Sequence, residues 1–161
     1  MRPVTTRNPP GSAGSIQVRV ATAQDMEQLL ELASQLLTQI HAEGTVKDAR
    51  RVFERTMKSN DLGVVLVAEH KTGLCGYAYA AYEWRAEFGG ETMDIVALWV
   101  EQQWRSKGVG GSLLSALLDN ARQRGIRRIS TEVHPNNAAI ERTLESNGFD
   151  PERRTLWSLQ I

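Results

Sequence analysis

In the first third of the chain, the spacing of the hydrophobic residues predicts one strand and two helices. Ile16–Val20 alternates apolar and polar residues, which predicts a short first strand. Apolar residues then recur every three or four positions over Met26–Ile40, which predicts a helix with one buried face. Thr22 and Asp25 have the spacing of a capping box, so this helix is expected to begin there. A weaker helical pattern follows over about Val46–Lys58.

The middle of the chain contains three apolar runs with strand character. Gly63–His70 and Gly73–Tyr82 are separated by the short polar turn Lys71-Thr72-Gly73, which predicts an antiparallel hairpin. Thr92–Val100 predicts a fourth strand. From Ile95 onward this strand is apolar at successive positions, as is typical of a central strand that helices cover on both faces.

The last third predicts a crossover followed by a helix and a strand. One helix ends at Gly125, and Arg127–His134 then returns as a strand that we expect to run parallel to the preceding one. A second helix is expected between Asn137 as N-cap and Gly148 as C-terminal stop. Leu156–Ile161 alternates like a final strand. The apolar stripe of the crossover helix consists of Leu113, Leu114, Leu117, Leu118 and Ala121.

Composition narrows the class of protein. Residues 1–15 are rich in Pro, Gly, Ser and Thr without periodicity, so we expect a flexible tail there and one α/β (α+β) domain over residues 16–161. The 19 Lys and Arg residues balance 19 Asp and Glu residues, so no overall charge favours nucleic acid or an anionic membrane. Cys75 is the only cysteine and lies in an apolar run, which indicates a buried structural thiol. Without a membrane span or secretory signal pattern, a cytoplasmic location is expected.

The segment between the fourth strand and the crossover helix has the composition of a phosphate site. Its glycines allow successive backbone N–H groups to converge, the helix start adds partial positive charge, and Arg105 and Lys107 add full charges. The pattern does not fit a P-loop, because no Lys-Ser or Lys-Thr follows a glycine. It does not fit a dinucleotide fingerprint either, because Leu113 stands where the third glycine belongs.

Two motifs together resemble one known family. Arg105-x-x-Gly108-x-Gly110 matches the pattern [QR]-x-x-G-x-[GA], and it resembles the acetyl-CoA loop of the GCN5-related N-acetyltransferases (GNAT). Downstream, Asn137 precedes the terminal Gly148-Phe149 by eleven residues, which is similar to the second signature of that family. The resemblance extends over about residues 16–161.

The resemblance implies a fold and a reaction. The expected fold is a mixed, mostly antiparallel sheet that is splayed at its centre and flanked by helices. The expected reaction is direct acetyl transfer from acetyl-CoA to a primary amine of a small molecule or of a protein. The family's geometry assigns the pantetheine amides to the backbone of Leu98 and Val100 around Trp99, and a further pantetheine contact to the Asn137 side chain. It assigns the pyrophosphate to the loop residues Arg105, Ser106, Lys107, Gly108, Val109, Gly110 and Gly111.

Direct transfer needs a base, because an alkyl amine with a pKa of about 10.4 is protonated at neutral pH. Asp94 is the first candidate, since it is a lone carboxylate in an otherwise apolar stretch of the fourth strand. The alternative is a strand-end carboxylate in solvent. Glu91 and Glu83 are weaker candidates for the same role.

One position departs from the family pattern. The family often has a Tyr four residues before the Gly of Gly148-Phe149, where it protonates the leaving thiolate, but this chain has Leu144. A thiol with a pKa of about 8.5 can leave without full protonation, and Ser146 or a water could substitute. The departure keeps a second interpretation open, namely a non-catalytic or regulatory acyl-CoA-binding module.

The acceptor side and other partners are less constrained. Glu83, Trp84 and Phe88 precede the fourth strand, where the family's acceptor usually lies, and would suit a cationic amine; a solvated hairpin loop is the alternative. The arginines near Gly125 fit a solvated helix end better than a nucleic-acid surface, because no set of stacking aromatics accompanies them. The three histidines lack metal-ligand spacing, so no metal is expected. The oligomeric state stays open, with a homodimer as one option.

Overall fold

The computed structural model describes residues 15–134 and 137–161. The tail predicted for residues 1–15 therefore lies, apart from Ser15, outside the described residues. The chain forms two compact units, of which the first ends at Thr131 and the second spans Glu132–Ile161. The first unit contains β1 (Gln17–Val20), α1 (Met26–Gln39), α2 (Val46–Lys58), β2 (Gly63–His70), β3 (Gly73–Arg85), β4 (Gly90–Val100), α3 (Val109–Arg124) and β5 (Arg128–Thr131). The second unit contains α4 (Ala138–Ser146).

The five strands form one open sheet in chain order, β1-β2-β3-β4-β5. Every pair is antiparallel except β4 and β5, which are parallel, as the crossover pattern predicted. This last pairing is short: Thr92–Ile95 of β4 pairs with Arg128–Thr131 of β5, whereas β4 itself continues to Val100. Within the described residues, the outer edge of β4 beyond Ile95 has no strand partner. The expected mixed, mostly antiparallel and open sheet flanked by helices is confirmed.

Helices cover both faces of this sheet. On one face, α1 and α2 pack on Val65 and Val67 of β2 and on Tyr77 and Trp99 of the next two strands. The other face is covered by α3, which packs against β2, β3 and β4. The backbone of Gly76 in β3 lies close to both α3 and β4. A Cβ at this position would lie 3.3 Å from Leu113 of α3 and 2.8 Å from the Trp99 carbonyl oxygen of β4. The fully buried side chains of α3 include Val109, Leu113, Leu114 and Leu117.

Three sequence predictions need correction. β4 is not covered at every position beyond Ile95: Val96 is 54% exposed, because the register with β3 shifts there and the extra residue bulges outward. β5 ends at Thr131 and not at His134. The final strand predicted for Leu156–Ile161 is absent; these residues are exposed and have no regular structure. Alternation predicts a strand only where a sheet edge accepts its backbone hydrogen bonds, which sequence periodicity cannot show.

Cys75 is buried, as predicted. Its Sγ lies 3.4 Å from the Ala68 carbonyl oxygen, and burial raises the pKa of the thiol to about 11. Cys75 is therefore protonated at neutral pH and packs as a small apolar side chain.

A charged network fixes the start of α1 against the first two strands. The Asp25 carboxylate accepts hydrogen bonds from the Thr22 backbone N–H (2.7 Å) and hydroxyl (3.0 Å). Arg19 of β1 donates to both Asp25 oxygens, at 2.7 and 2.8 Å, and its Nε donates to Glu69 of β2 at 2.9 Å. The Arg19 guanidinium and the Thr22 donors lower the pKa of Asp25 to about 2. The predicted capping box is therefore also the point where α1 is tied to the sheet.

We predict that Asp25→Asn lowers the free energy of unfolding at neutral pH by about 1–3 kcal/mol, because Arg19 loses its buried partner. Since the pKa of Asp25 falls from 3.8 to about 2 on folding, its contribution is complete above about pH 4 and is lost as the pH falls toward 2. Urea unfolding at several pH values should therefore show a smaller acid loss in the variant. Asp48→Asn, in the exposed capping box of α2, is the control and should change stability much less. An equal effect of both substitutions would contradict the assignment.

Candidate functional site

The open part of β4 presents backbone groups away from the sheet. The Glu101 N–H donates to the Cys75 carbonyl of β3 at 3.0 Å, so the Val100 carbonyl on the other side of the same planar peptide faces the open edge. The backbone N–H and carbonyl groups of Leu98, two residues earlier, face the same edge, because backbone groups alternate in direction along a strand. A gap opens beside β4 where its pairing with β5 ends. At that point the Ile95 carbonyl accepts a hydrogen bond from the Thr131 hydroxyl at 2.9 Å. The exposed edge therefore extends from the bulge to Val100.

A loop with left-handed backbone connects this edge to α3. Ser106 has a φ of 60° and Gly108 a φ of 82°, which turns the chain sharply into the helix. The Ser112 N–H donates to the Gly108 carbonyl at 3.0 Å, so the three N–H groups between these residues have no partner within the helix. A Cβ at Gly108 or Gly111 would meet nothing within 4 Å. The start of α3 is thus an open set of donors at the positive end of a helix.

Aromatic rings hold two cations beside these donors. The Arg105 guanidinium lies 4.5 Å from the Trp99 ring, and its Nε donates to the Val100 carbonyl at 2.9 Å. The Lys107 ammonium lies 5.1 Å from the Trp104 ring, which in turn lies 4.5 Å from the ring of His70. The loop and the open edge of β4 are therefore linked through Arg105. Sequence reasoning missed these ring contacts, although the two tryptophans flank the motif.

Asp94 lies where the pairing of β4 and β5 is about to end. It pairs with Ala81 of β3 and with Ser130 of β5, and the Ser130 hydroxyl lies 3.4 Å from the carboxylate. Tyr79 of β3 lies under the Phe53 ring of α2, at 6.1 Å between centroids, so Ala81 and its partner Asp94 face the same side of the sheet. Asp94 is half-buried. The structure thus places this carboxylate on the side of the sheet that α1 and α2 cover, next to the point where the β4–β5 pairing ends.

Glu91 occupies a different environment on the opposite face. It is only 9% exposed, and its carboxylate accepts two hydrogen bonds from Arg124 at the end of α3, at 2.7 and 2.8 Å. Arg124 also lies over the Tyr82 ring at 4.2 Å, and the Tyr82 hydroxyl donates to Asn120 at 2.6 Å. Glu91 therefore joins α3 to β4 as part of a structural cluster.

The predicted acceptor residues lie at the β3–β4 hairpin. Arg85 donates to Glu83 at 2.8 Å and to Glu87 at 3.2 Å, so one guanidinium serves both carboxylates. The Phe88 ring is covered by the Arg128 guanidinium at 4.5 Å. Trp84 is 80% exposed. The structure does not test the acceptor role of Glu83, Trp84 and Phe88, which stays a prediction.

The second unit contains the capped helix that the sequence predicted. The Asn137 side-chain oxygen accepts from the Ile140 N–H at 3.4 Å, and Gly148 follows the helix with a φ of 85°. Leu144 is buried, and the Ser146 hydroxyl donates to the Thr143 carbonyl at 2.9 Å. Residues 135 and 136 lie outside the described part of the chain. The pantetheine contact of Asn137 stays a prediction.

A strand edge that leads into a cationic, glycine-rich helix start defines a class of protein that binds an extended ligand ending in phosphate groups. The model of the acetyltransferase (GNAT) family matches residues 26–149. The chain belongs to this family. The family assignment confirms the predicted reaction class, acetyl-CoA-dependent N-acetyl transfer.

Individual relatives agree with this assignment. The uncharacterized N-acetyltransferase YhfO of Bacillus subtilis (strain 168) is 23% identical over 137 residues, which cover 85% of this chain and 91% of YhfO. Integron cassette protein HFX_CASS3, from the mobile metagenome of Cole Harbour Salt Marsh, has a TM-score of 0.79 at 22% identity, over 89% of this chain and 90% of that one. Aminoglycoside N-acetyltransferase AAC(6')-Iy, in complex with CoA, has a TM-score of 0.79 at 15% identity, over 94% of this chain and 99% of that one. These two structures share the fold.

The described residues contain neither a metal-binding cluster nor a helix that could span a membrane. No group of three His, Cys, Asp or Glu side chains in residues 15–134 and 137–161 could hold a metal ion. No helix in the same ranges combines the length and apolar character that crossing a membrane requires.

We predict that Glu91→Gln acts on stability and not on chemistry. Loss of the charge leaves Arg124 with a weakened buried contact, so the free energy of unfolding should fall by about 1–3 kcal/mol. Turnover per folded molecule should be retained. Asp61→Asn is the matched control, because Asp61 is an exposed partner of the same arginine, and it should change stability little. Normal stability with abolished turnover in Glu91→Gln would instead identify Glu91 as the base.

Proposed function

We propose that the protein binds acetyl-CoA along the open edge of β4 and transfers the acetyl group directly to a primary amine on the α1–α2 side of the sheet. One observation carries this proposal: β4 continues to Val100 after its pairing with β5 has ended at Ile95, with backbone groups turned into the gap. An extended chain with amide groups can pair with such an edge as an added strand does. Pantetheine has that chemistry.

The phosphates would bind at the start of α3. The N–H groups of Val109, Gly110 and Gly111 are free of intrahelical partners, and the helix dipole favours negative charge there. Arg105 and Lys107 lie beside these donors, held by tryptophan rings. The residues present therefore fit a diphosphate. Arg105, which donates to the Val100 carbonyl, is placed to exchange that contact for a phosphate oxygen.

Asp94 is the group that we assign to proton removal. A protonated amine has no lone pair with which to attack, so a carboxylate must first accept its proton, directly or through a water. Asp94 is half-buried on the side of the sheet covered by α1 and α2, next to the open edge of β4, whereas Glu91 lies on the opposite face and Glu83 at the β3–β4 hairpin. Geometry thus favours Asp94 among the three candidates.

The leaving group needs less assistance. Acetyl-CoA, when bound, supplies an acyl group on a thiol with a pKa of about 8.5, which can depart as the thiolate. Leu144 has no proton to donate, and the Ser146 hydroxyl already donates to the Thr143 carbonyl. The mechanism therefore proceeds without a protein acid at that position.

A non-catalytic acyl-CoA-binding module is not favoured. The chain belongs to an acetyltransferase family, and it retains a carboxylate beside the splay. A cytoplasmic location and a homodimer stay predictions.

We predict that Asp94→Asn lowers turnover at saturating acceptor by about a hundredfold, because the amine loses its base. The affinity for acetyl-CoA should not change. Thiol release measured against an amine panel checks the rate, and Asp119→Asn on α3 serves as the carboxylate control. Unchanged turnover in Asp94→Asn would remove Asp94 from the mechanism.

We predict that Gly111→Glu weakens acetyl-CoA binding by about tenfold or more, because its carboxylate competes with phosphate for the first N–H groups of α3. The space around Gly111 is open, and an acidic residue in the first helical turn is favourable, so the fold should be retained. Gly111→Gln is the neutral control of equal size. Calorimetric titration with CoA separates the two variants, and equal affinities would argue against a phosphate site at this helix start.

A further inference from the structure

The Arg105 side chain folds back from the loop between β4 and α3 onto the open edge of β4. Its Nε donates to the Val100 carbonyl at 2.9 Å. That carbonyl faces the open edge, because the N–H of the same peptide, from Glu101, donates to Cys75 of β3. A side chain of the protein therefore occupies one of the backbone acceptors to which we assign pantetheine.

Contacts with α1 support this position of the guanidinium. It lies 4.5 Å from the centre of the Trp99 ring. Trp99 is buried, and its indole N–H donates to the Gln35 side chain of α1 at 3.2 Å. The Gln35 amide in turn donates to the Glu101 carboxylate at 3.4 Å. The ring under Arg105 cannot turn without breaking its hydrogen bond to α1, so the guanidinium has a defined position at the edge.

A phosphate group is a stronger partner for Arg105 than a backbone carbonyl. A guanidinium can bind phosphate through two charge-assisted hydrogen bonds, whereas its contact with the neutral Val100 carbonyl uses Nε alone. The N–H donors that would hold a phosphate, those of Val109, Gly110 and Gly111, lie at the end of the same loop. The Arg105 side chain is exposed, so rotation about its bonds can carry the guanidinium from the carbonyl toward these donors.

We propose that Arg105 determines donor specificity, because it releases the Val100 carbonyl to donors that carry a diphosphate and covers it against donors that do not. With a diphosphate at the start of α3, the guanidinium moves to the anion and the carbonyl accepts an amide N–H of the ligand. Without one, a bare pantetheine arm must displace the guanidinium. A carbonyl oxygen can accept two hydrogen bonds, but a chain that pairs along the edge still meets the side chain there. The inference rests on the proposed function and adds a residue that couples the two halves of the CoA site.

The variant Arg105→Ala separates this role from simple attraction of phosphate. We expect it to bind CoA about tenfold or more weakly, because a charge-assisted contact is lost. The same variant should bind pantetheine about threefold to tenfold more tightly than the unmodified protein, because the ligand no longer displaces a hydrogen bond. NMR titrations of the full-length protein with CoA and with pantetheine give both dissociation constants. Effects of opposite sign on the two ligands would support the exchange.

Lys107→Ala is the matched control. Lys107 also lies over a tryptophan ring in the same loop, and no hydrogen bond joins it to the edge of β4 in the part of the chain that the structure describes. This variant should weaken CoA binding and leave pantetheine binding unchanged. An equal gain for pantetheine in Lys107→Ala would overturn the inference, since loss of positive charge alone would then explain the gain.

Two further outcomes separate the inference from the proposed function. Equal pantetheine affinity of the unmodified protein and Arg105→Ala, or no pantetheine binding by either, would overturn the inference, while CoA binding by the unmodified protein would leave the proposed function intact. Failure of the unmodified protein to bind CoA would instead refute the proposed function, on which the inference depends.

Inorganic pyrophosphate provides a second test without any new substitution. At constant ionic strength, pyrophosphate bound at the start of α3 should draw Arg105 away from Val100 and raise the affinity of the unmodified protein for pantetheine by about threefold or more. Arg105→Ala should lack this coupling, because its Val100 carbonyl is no longer covered. A pyrophosphate effect of equal size in both proteins, or none in the unmodified protein, would contradict the exchange.

Discussion

The parallel pairing between β4 and β5 ends at Ile95 and Thr131, and the arrangement of the site depends on this short register. Because β4 continues for five residues beyond it, one edge of β4 has no strand partner there within the described residues. An unpaired edge normally attracts another strand. Here it leads directly into the glycine-rich start of α3, so one continuous surface offers strand-like pairing along β4 and helix-terminal N–H donors at its end. The bulge at Val96 marks the start of that surface.

The covered faces of the sheet hold this edge in place. The α1–α2 layer packs on Val67, Tyr77 and Trp99, and α3 packs on the other side through fully buried leucines. Charged clusters secure the ends of the helices: Asp25 with Arg19 at the start of α1, and Glu91 with Arg124 at the end of α3. With both layers secured, the gap beside β4 can stay open without loosening the sheet.

The distribution of ion pairs separates structural charges from charges that are available for binding. Arg19, Arg85 and Arg124 each contact two carboxylates. Arg105 and Lys107 instead lie over tryptophan rings, where they keep their charge and remain near solvent. A cation over a ring has not been neutralised, so it still attracts phosphate.

The helices, the hairpin, the parallel crossover and the family resemblance could all be predicted from the chain alone, because periodicity, capping residues and glycine spacing are local properties. Thr22 with Asp25, the turn at Lys71-Thr72 and the loop from Arg105 to Gly110 all formed where the pattern placed them. Which carboxylate lies next to the open edge of β4 depends on long-range packing and could not be predicted in this way. Glu91, Asp94 and Glu83 look alike in sequence. Strand alternation places Glu91 against Arg124 and Asp94 on the opposite face, next to the open edge of β4, while Glu83 lies beside Arg85. The strand predicted for Leu156–Ile161 is absent for a similar reason. A strand forms only where a neighbouring strand edge accepts its backbone hydrogen bonds, and the segment alone does not show whether such an edge exists.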